Sequence, residues 1–512
     1  AALLERTGGW EMVLFGGAVR MRELLSLLPP ERLREFPRVQ LSQAFLAAKD
    51  GDLARGLRLY EAIAASTQSC DDPLLVRDRL VVGQLLGRYA DRPVGPRDLE
   101  LLQEEIDALP PADDAARAAL LNTACLTALG TGDMRATLAA SQKAAREMRR
   151  IGSVLGLNYC LLHVGLAQLH LGERREAEAT LTEALALAEE NFGADSGLKA
   201  VADVYLALAL HARGDVAGAA GRLARSLGQV EAADGWLDLY AEGYEVATAN
   251  ALARADRAAA AGLVERMSRT AQARGLARLE RLAEALRRRL AFAAGPGPRG
   301  APTDWRPGRW REEPSCWREH HALGIAEIFA ALLAREPSRA LAVVEDLEAA
   351  ARAGERRRDL RTLGALRAAA DLACRDDERT IEDFVTALEQ SVREDDTQFL
   401  VDLGPPLLPM LRRAWAWSRR QGASSRLRHV LAQAVTTLAR SSETFEVSGV
   451  LSARELEVLV ELASGAQNKV IARNLQMTEN TVKFHLKNVF HKLGVHHRSE
   501  ALLAARARGL LS

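Results

Sequence analysis

Residues 451–512 read LSARELEVLVELASGAQNKVIARNLQMTENTVKFHLKNVFHKLGVHHRSEALLAARARGLLS. Ser452-Ala-Arg-Glu455 has the spacing of a capping box, in which a hydroxyl and a carboxylate satisfy free N–H groups at a helix start. Leu456, Leu459, Val460 and Ala463 follow at helical spacing, and Gly465 supplies a stop. A short second helix opens at Asn468, with Val470, Ile471 and Leu475 predicted to face inward. Gln476-Met477 makes the turn. Thr478 is the expected N-cap of a third helix running to about Leu493, which Gly494 ends. A fourth helix carries Ala501, Leu502, Ala505 and Leu510.

The third helix has two faces. Val482, Leu486, Val489 and Leu493 form an apolar stripe. Asn480, Lys483, Phe484, Lys487 and His491 lie opposite it. A short scaffold helix, a tight turn and a longer helix with a basic outer face can seat a helix in the major groove of double-stranded DNA. Lys483 and Lys487 stand one turn apart and point at the same stretch of it. Lysine donates to guanine O6 and N7, or to phosphate. N–H groups near Thr478 offer a second phosphate contact.

The charge distribution agrees. The whole chain balances 68 basic against 68 acidic residues, whereas residues 451–512 hold nine Lys and Arg against five Glu, a net of +4. Four of the chain's seven lysines are here. Such a patch binds DNA by counterion release and weakens steeply with salt.

The segment resembles the LuxR-type helix-turn-helix family from end to end. Arg454, Glu455, Gly465, Asn468, Lys469, Ile471, Ala472, Thr478, Thr481, Val482, Lys483, His485, Lys492, Leu493, Val495 and Arg498 are among the matching residues. The resemblance implies that Lys483, Phe484 and Lys487 face bases. It places Asn468, Lys469, Thr478 and Thr481 near phosphate, with Asn480 on the same face. It also implies a dimer contact through the fourth helix, hence a dimer or oligomer on DNA, with RNA polymerase as a further partner. Phe484 replaces a smaller aliphatic residue, and Val470 stands where many members carry an acid.

Upstream, a repeat is visible. Gly51-Asp52, Gly132-Asp133, Gly172-Glu173, Gly214-Asp215 and Ala255-Asp256 mark turns between helix pairs, and one unit is expected in the wide first gap. A small residue stands seven before each turn (Ala44, Cys125, Gly165, Ala207, Thr248), and another five after it (Gly56, Thr137, Ala177, Ala219, Ala260). A bulky one usually stands nine after (Tyr60, Leu181, Leu223, Val264), with Ser141 breaking the rule. Small residues let helices approach, as in stacked hairpins. The pattern resembles tetratricopeptide repeats with a longer period, and it implies an unidentified effector or protein on the concave side. The predicted fold class is all-α: a tetratricopeptide-like solenoid followed by a four-helix C-terminal domain.

The expected organisation is a junction over 1–40, repeats over 41–293, and a Pro/Gly-rich linker over 294–315. A second helical block over 316–440, a tether over 441–450 and the reader over 451–512 complete it. Gly295, Gly297 and Gly300 meet the G-x-G-x-x-G spacing, but Pro296 and Pro298 remove two of the N–H donors that a dinucleotide site needs.

Residues 24–46, LLSLLPPERLREFPRVQLSQAFL, resemble the junction that opens the repeats of MalT-type regulators, large ATP-binding members of the LuxR group. Their ATPase domain precedes the repeats. This chain starts at Ala1 inside an amphipathic pattern and has no Gly-Lys dipeptide, hence no phosphate-binding loop. ATP is therefore expected only for a domain upstream of it, and no cofactor in it.

No catalytic residue and no metal site is predicted. Five scattered cysteines lack a C-x-x-C and point to reduced thiols in a cytoplasmic protein. Adjacent His320-His321 and His496-His497 diverge on a helix, and Asp376-Asp377 and Asp395-Asp396 read as solvated turns. No apolar run approaches a membrane span. The expected function is a sequence-specific transcription regulator whose repeats sense a ligand or protein. The alternative is a protein-binding repeat scaffold with a non-functional helix-turn-helix.

Overall fold

The computed structural model describes residues 4–5, 9–29, 33, 35–193, 196–232, 235–293, 304–375, 377–443, 453–463, 465–475, 477–493, 495 and 497–507. Among these every regular element is helical. The chain forms two compact units: Ala1–Ala330 with Ala342–Leu363, and Ala331–Leu341 with Gly364–Ser512.

The first unit is a run of antiparallel helix pairs. Pro37–Lys49 pairs with Leu53–Ser66, Asp114–Thr131 with Met134–Arg150, and Val154–His170 with Arg174–Phe192. Gly197–Ala212 then pairs with Val216–Ala232, and Leu237–Ala253 with Arg257–Arg274. The turn signature has two physical parts. Gly51, Gly132, Gly172 and Gly214 take φ of 87°, 78°, 77° and 89°, the left-handed region that closes a helix and favours glycine. At four turns the next residue caps the following helix: Asp52 Oδ1 accepts from Arg55 N at 3.0 Å, Asp133 from Ala136 N at 2.9 Å, Asp215 from Gly218 N at 2.9 Å, and Asp256, after Ala255 at φ 59°, from Ala259 N at 2.9 Å, whereas Glu173 makes no side-chain cap.

The unit expected in the first gap is the pair Pro73–Tyr89 and Pro96–Ala108. Its turn escapes the pattern because Asp91 itself takes the positive φ, 52°, and Arg92 rather than an acid follows it. The small positions are close approaches. A Cβ on Gly56 would stand 2.7 Å from Ala44 O, and one on Gly165 would stand 2.5 Å from the Leu181 side chain. Ala44, Cys125, Ala177, Ala207, Ala219 and Ala260 have no exposed surface.

Residues assigned to a junction are part of this packing. Trp10, Val13 and Met21 are buried in the same apolar core as the repeats. Within the Pro/Gly-rich stretch, 294–303 lie outside the described residues. The remainder is packed: Gly308 N donates to Asp346 Oδ1 at 2.9 Å, and the Trp305 ring stacks on His320 at 5.6 Å.

The second unit contains Glu378–Arg393, Leu408–Arg420 and Ser425–Glu443, followed by four C-terminal helices, Ala453–Ala463, Asn468–Asn474, Glu479–Leu493 and Arg498–Ala507. Of the expected tether, 444–450 lie outside the described residues. No helix among the described residues is long and apolar enough to cross a membrane.

Candidate nucleic-acid interface

The helix Glu479–Leu493 buries Val482, Leu486, Val489 and Leu493, the stripe read from the sequence. They pack with Val458, Leu459, Leu462, Ile471, Ala472, Ala501 and Ala505. Three apolar assignments are corrected. Val470 is exposed and Ala472 takes its place, because the seven-residue helix turns Ile471 and Ala472 together toward the core. In the first helix Val460 and Ala463 are half-buried, while Val458 and Leu462 lie inside. Ser452, Gln476, Gly494 and Leu510 lie outside the described residues.

Thr478 caps the third helix: its Oγ1 accepts from Thr481 N at 3.2 Å and lies 2.8 Å from Thr481 Oγ1. This cap uses the Thr481 N–H and sets where the helix starts. One turn on, the outer face begins. Asn480, Lys483, Phe484 and Lys487 are all exposed, and Phe484 keeps 61% of its surface in solvent. Its ring meets the neighbouring His485 ring edge-on, with centroids 5.7 Å apart. Lys483 lies 3.4 Å from Glu479, an exposed pair worth little in water. Asn468, Lys483 and Lys487 line one groove with His491. Lys469 is exposed on the second helix, and Thr481 is half-buried.

The cations divide into two classes that charge counting could not separate. Lys492 Nζ donates to the buried Glu455 at 2.7 Å. Arg498 Nη2 donates to Leu462 O at 3.1 Å and Ala466 O at 2.8 Å, closing the end of the first helix. Arg454 pairs with Glu457 at 2.5 Å. Lys492 and Arg498 support the domain from within, whereas Arg454, Lys469, Arg473, Lys483 and Lys487 are on the surface.

Buried Glu461 accepts from Asn474 Nδ2 at 3.0 Å and from Arg419 of the helix Leu408–Arg420. Burial pulls the Arg419 guanidinium below its usual range, against the opposing pull of Glu461 and Glu457. No sequence signal marked these partners, because the pairs join residues 13 to 42 positions apart.

The model for bacterial regulatory proteins of the luxR family matches residues 449–505. The CsgBAC operon transcriptional regulatory protein of Escherichia coli (strain K12) is 49% identical over 55 residues, 11% of this chain and 26% of that protein. The HTH-type transcriptional regulator AlkS of Alcanivorax borkumensis is 44% identical over 61 residues, 12% of this chain and 7% of that protein. The nitrate/nitrite response regulator protein NarL of Escherichia coli (strain K12) is 37% identical over 121 residues, 23% of this chain and 53% of that protein. The chain thus spans about a quarter or less of the first two relatives and about half of the third. A Rap protein complexed with competence and sporulation factor superposes with a TM-score of 0.46 at 11% identity, over 76% of this chain and 99% of that chain. Residues 449–505 are a DNA-binding helix-turn-helix domain of the luxR family of bacterial transcription regulators.

Proposed function

We propose that the chain is a sequence-specific transcription regulator that places the helix Glu479–Leu493 in the major groove of double-stranded DNA. The observation that carries this reading is the outer face of that helix, where Lys483, Phe484 and Lys487 stand exposed directly opposite a fully buried stripe. Lys483 and Lys487 would donate to base edges, and Phe484 would meet a thymine methyl. Asn468, Lys469, Thr478, Asn480 and Thr481 would hold the phosphates on either side.

The helical-repeat unit is proposed as the sensor. Its packed hairpins resemble modules that present a long surface to a ligand or protein, and a bound effector would control exposure or pairing of the reader. As proposed, the protein acts in the cytoplasm as a dimer or oligomer on DNA, makes contact with RNA polymerase, catalyses no reaction in this chain and carries no cofactor in it.

Selection from a random DNA pool tests the reading, with the whole chain at two salt concentrations. Enrichment of a two-fold site with steep salt dependence supports it. Binding without enrichment would leave only electrostatic attachment, and no binding at all would assign the chain to a protein-binding scaffold.

A further inference from the structure

The family match begins at residue 449, yet the reader is also held by a side chain well before it. Arg419, in the helix Leu408–Arg420, donates through Nη2 to Oε1 of Glu461, in the reader's first helix Ala453–Ala463. The other carboxylate oxygen of Glu461 accepts from Asn474 Nδ2 at 3.0 Å, at the end of the second helix. One carboxylate therefore joins three helices, and one of these lies outside the DNA-binding domain. Glu457, one turn before Glu461, acts on Arg419 from further away and is itself paired with Arg454 at 2.5 Å. The helix Ser425–Glu443 also packs against Ala453–Ala463, and its Leu431, Val435 and Leu438 are buried.

The ion pair is enclosed. The Arg419 side chain keeps 16% of its surface in solvent and that of Glu461 keeps 10%. The guanidinium carbon lies 5.5 Å from the Trp415 ring centroid, and Nη1 is buried with no hydrogen-bond partner among the described residues. Taking two charges out of water costs about as much as their attraction returns, so such a pair adds little net stability. Separating the partners while one stays buried is costly, because an unpaired charge is left behind. By that asymmetry the pair favours one placement of the reader on the helix Leu408–Arg420.

That placement leaves the DNA face clear. With Arg419 and Glu461 joined, Asn480, Lys483, Phe484 and Lys487 are all exposed, as are Lys469 on the second helix and Leu503 on the fourth. The first helix divides its faces, with Val458, Leu459 and Leu462 in the reader's core and Glu461 toward Arg419. A placement that inhibited the reader would cover the exposed side chains of its third helix.

We propose that Arg419 is a positioning residue for DNA recognition: through Glu461 it fastens the reader to the helix Leu408–Arg420 with the third C-terminal helix turned outward, and the reader engages DNA without being released. The contact then sets the pose of the reader and does not inhibit it. The proposal rests on the regulator reading for the DNA step, and on the ion pair alone for the fastening.

The distance between two nitroxide labels in the full chain tests it. The labels go on Arg379→Cys and Ser499→Cys, both exposed positions, in a chain that also carries Cys70→Ser and Cys374→Ser. The expected result is one narrow distance distribution, unchanged by a saturating random-sequence duplex at low salt. Arg419→Met and Glu461→Gln should each spread it, and Arg419→Lys, which keeps the charge, should stay narrow. Circular dichroism and melting temperatures accompany every variant. A broad distribution in the unaltered chain, or a new distance on adding duplex, would overturn the proposal. So would a folded Arg419→Met that stays narrow, even with a lower melting temperature, because the pair would then be merely structural. If neither variant folds, the unaltered chain with and without duplex decides alone. A chain that keeps the narrow distribution but binds no duplex defeats the regulator reading and leaves the fastening. One that binds duplex with a broad distribution defeats only this proposal.

Discussion

Lys492 Nζ lies 2.7 Å from a carboxylate oxygen of Glu455, whose side chain is 4% exposed, so the last turn of the third C-terminal helix is fastened to the start of the first. A lysine on a helix read as DNA-facing therefore has an internal role. Lys492→Met should cost the C-terminal domain about 1–3 kcal/mol, because it strips a charged hydrogen bond from a buried carboxylate. Glu455→Gln should cost less, since the released lysine reaches water. Hydrogen exchange over residues 479–493 measures both. Neither should change the salt slope of DNA binding.

Lys487 and Lys469 should differ in kind. Lys487→Ala is expected to lose about 1–3 kcal/mol on the selected site and much less on random DNA, as a base contact would. Lys469→Ala should weaken every sequence alike and reduce the salt slope by about one. Titrations on specific and random duplexes at several salt concentrations separate the two. A uniform loss for Lys487→Ala would move it to the phosphate class.

Thr478 Oγ1 accepts the Thr481 N–H at 3.2 Å. Thr478→Ala should destabilise the domain by about 1 kcal/mol, and Thr478→Ser should recover most of that. Exchange protection in the first turn of Glu479–Leu493 reports the effect, and equal protection in the Ala variant would refute the cap.

His163 gives a pH dependence. Burial pushes its pKa down from 6.5 to about 4, with Asp238 opposing weakly. Between those values the unfolded chain binds the proton and the folded chain does not. Its contribution is thus fully present above pH 6.5 and is lost as pH falls toward 4, by up to about 3 kcal/mol. Asp91, pushed up to about 6 by burial, works in the opposite sense: its contribution is present below 3.8 and lost as pH rises through 6. His163→Phe keeps an aromatic neighbour for Trp236, now 5.9 Å away at 70°. Melting temperatures of this variant should decline less from pH 6.5 to about 4 than those of the unaltered chain. Identical slopes would show that His163 is not the titrating group.

Much of the C-terminal domain is local information. The stripe Val482, Leu486, Val489 and Leu493 follows from helical period, and the Thr478 cap from residue type and position. The same stripe fixes which side chains face out, so Asn480, Lys483, Phe484 and Lys487 were legible as surface residues before any coordinates. The repeat turns were legible for the same reason, since a left-handed Gly followed by a capping Asp is a property of four or five consecutive residues. The turn at Asp91 was hidden because the residue at positive φ is neither Gly nor Ala and Arg92, not a capping acid, follows it.

What the sequence determined by itself is therefore helix placement, the two-faced third helix and the hairpin rhythm of the repeats, all set by contacts within one or two turns of chain. Tertiary structure alone decided that Lys492 and Arg498 serve the domain's interior, that Ala472 and not Val470 turns inward, and that Trp10, Lys49, Arg88, His163 and Trp236 meet around one cavity. Those residues are brought together only when helices far apart in sequence pack, and residue spacing carries no record of which helix faces will meet.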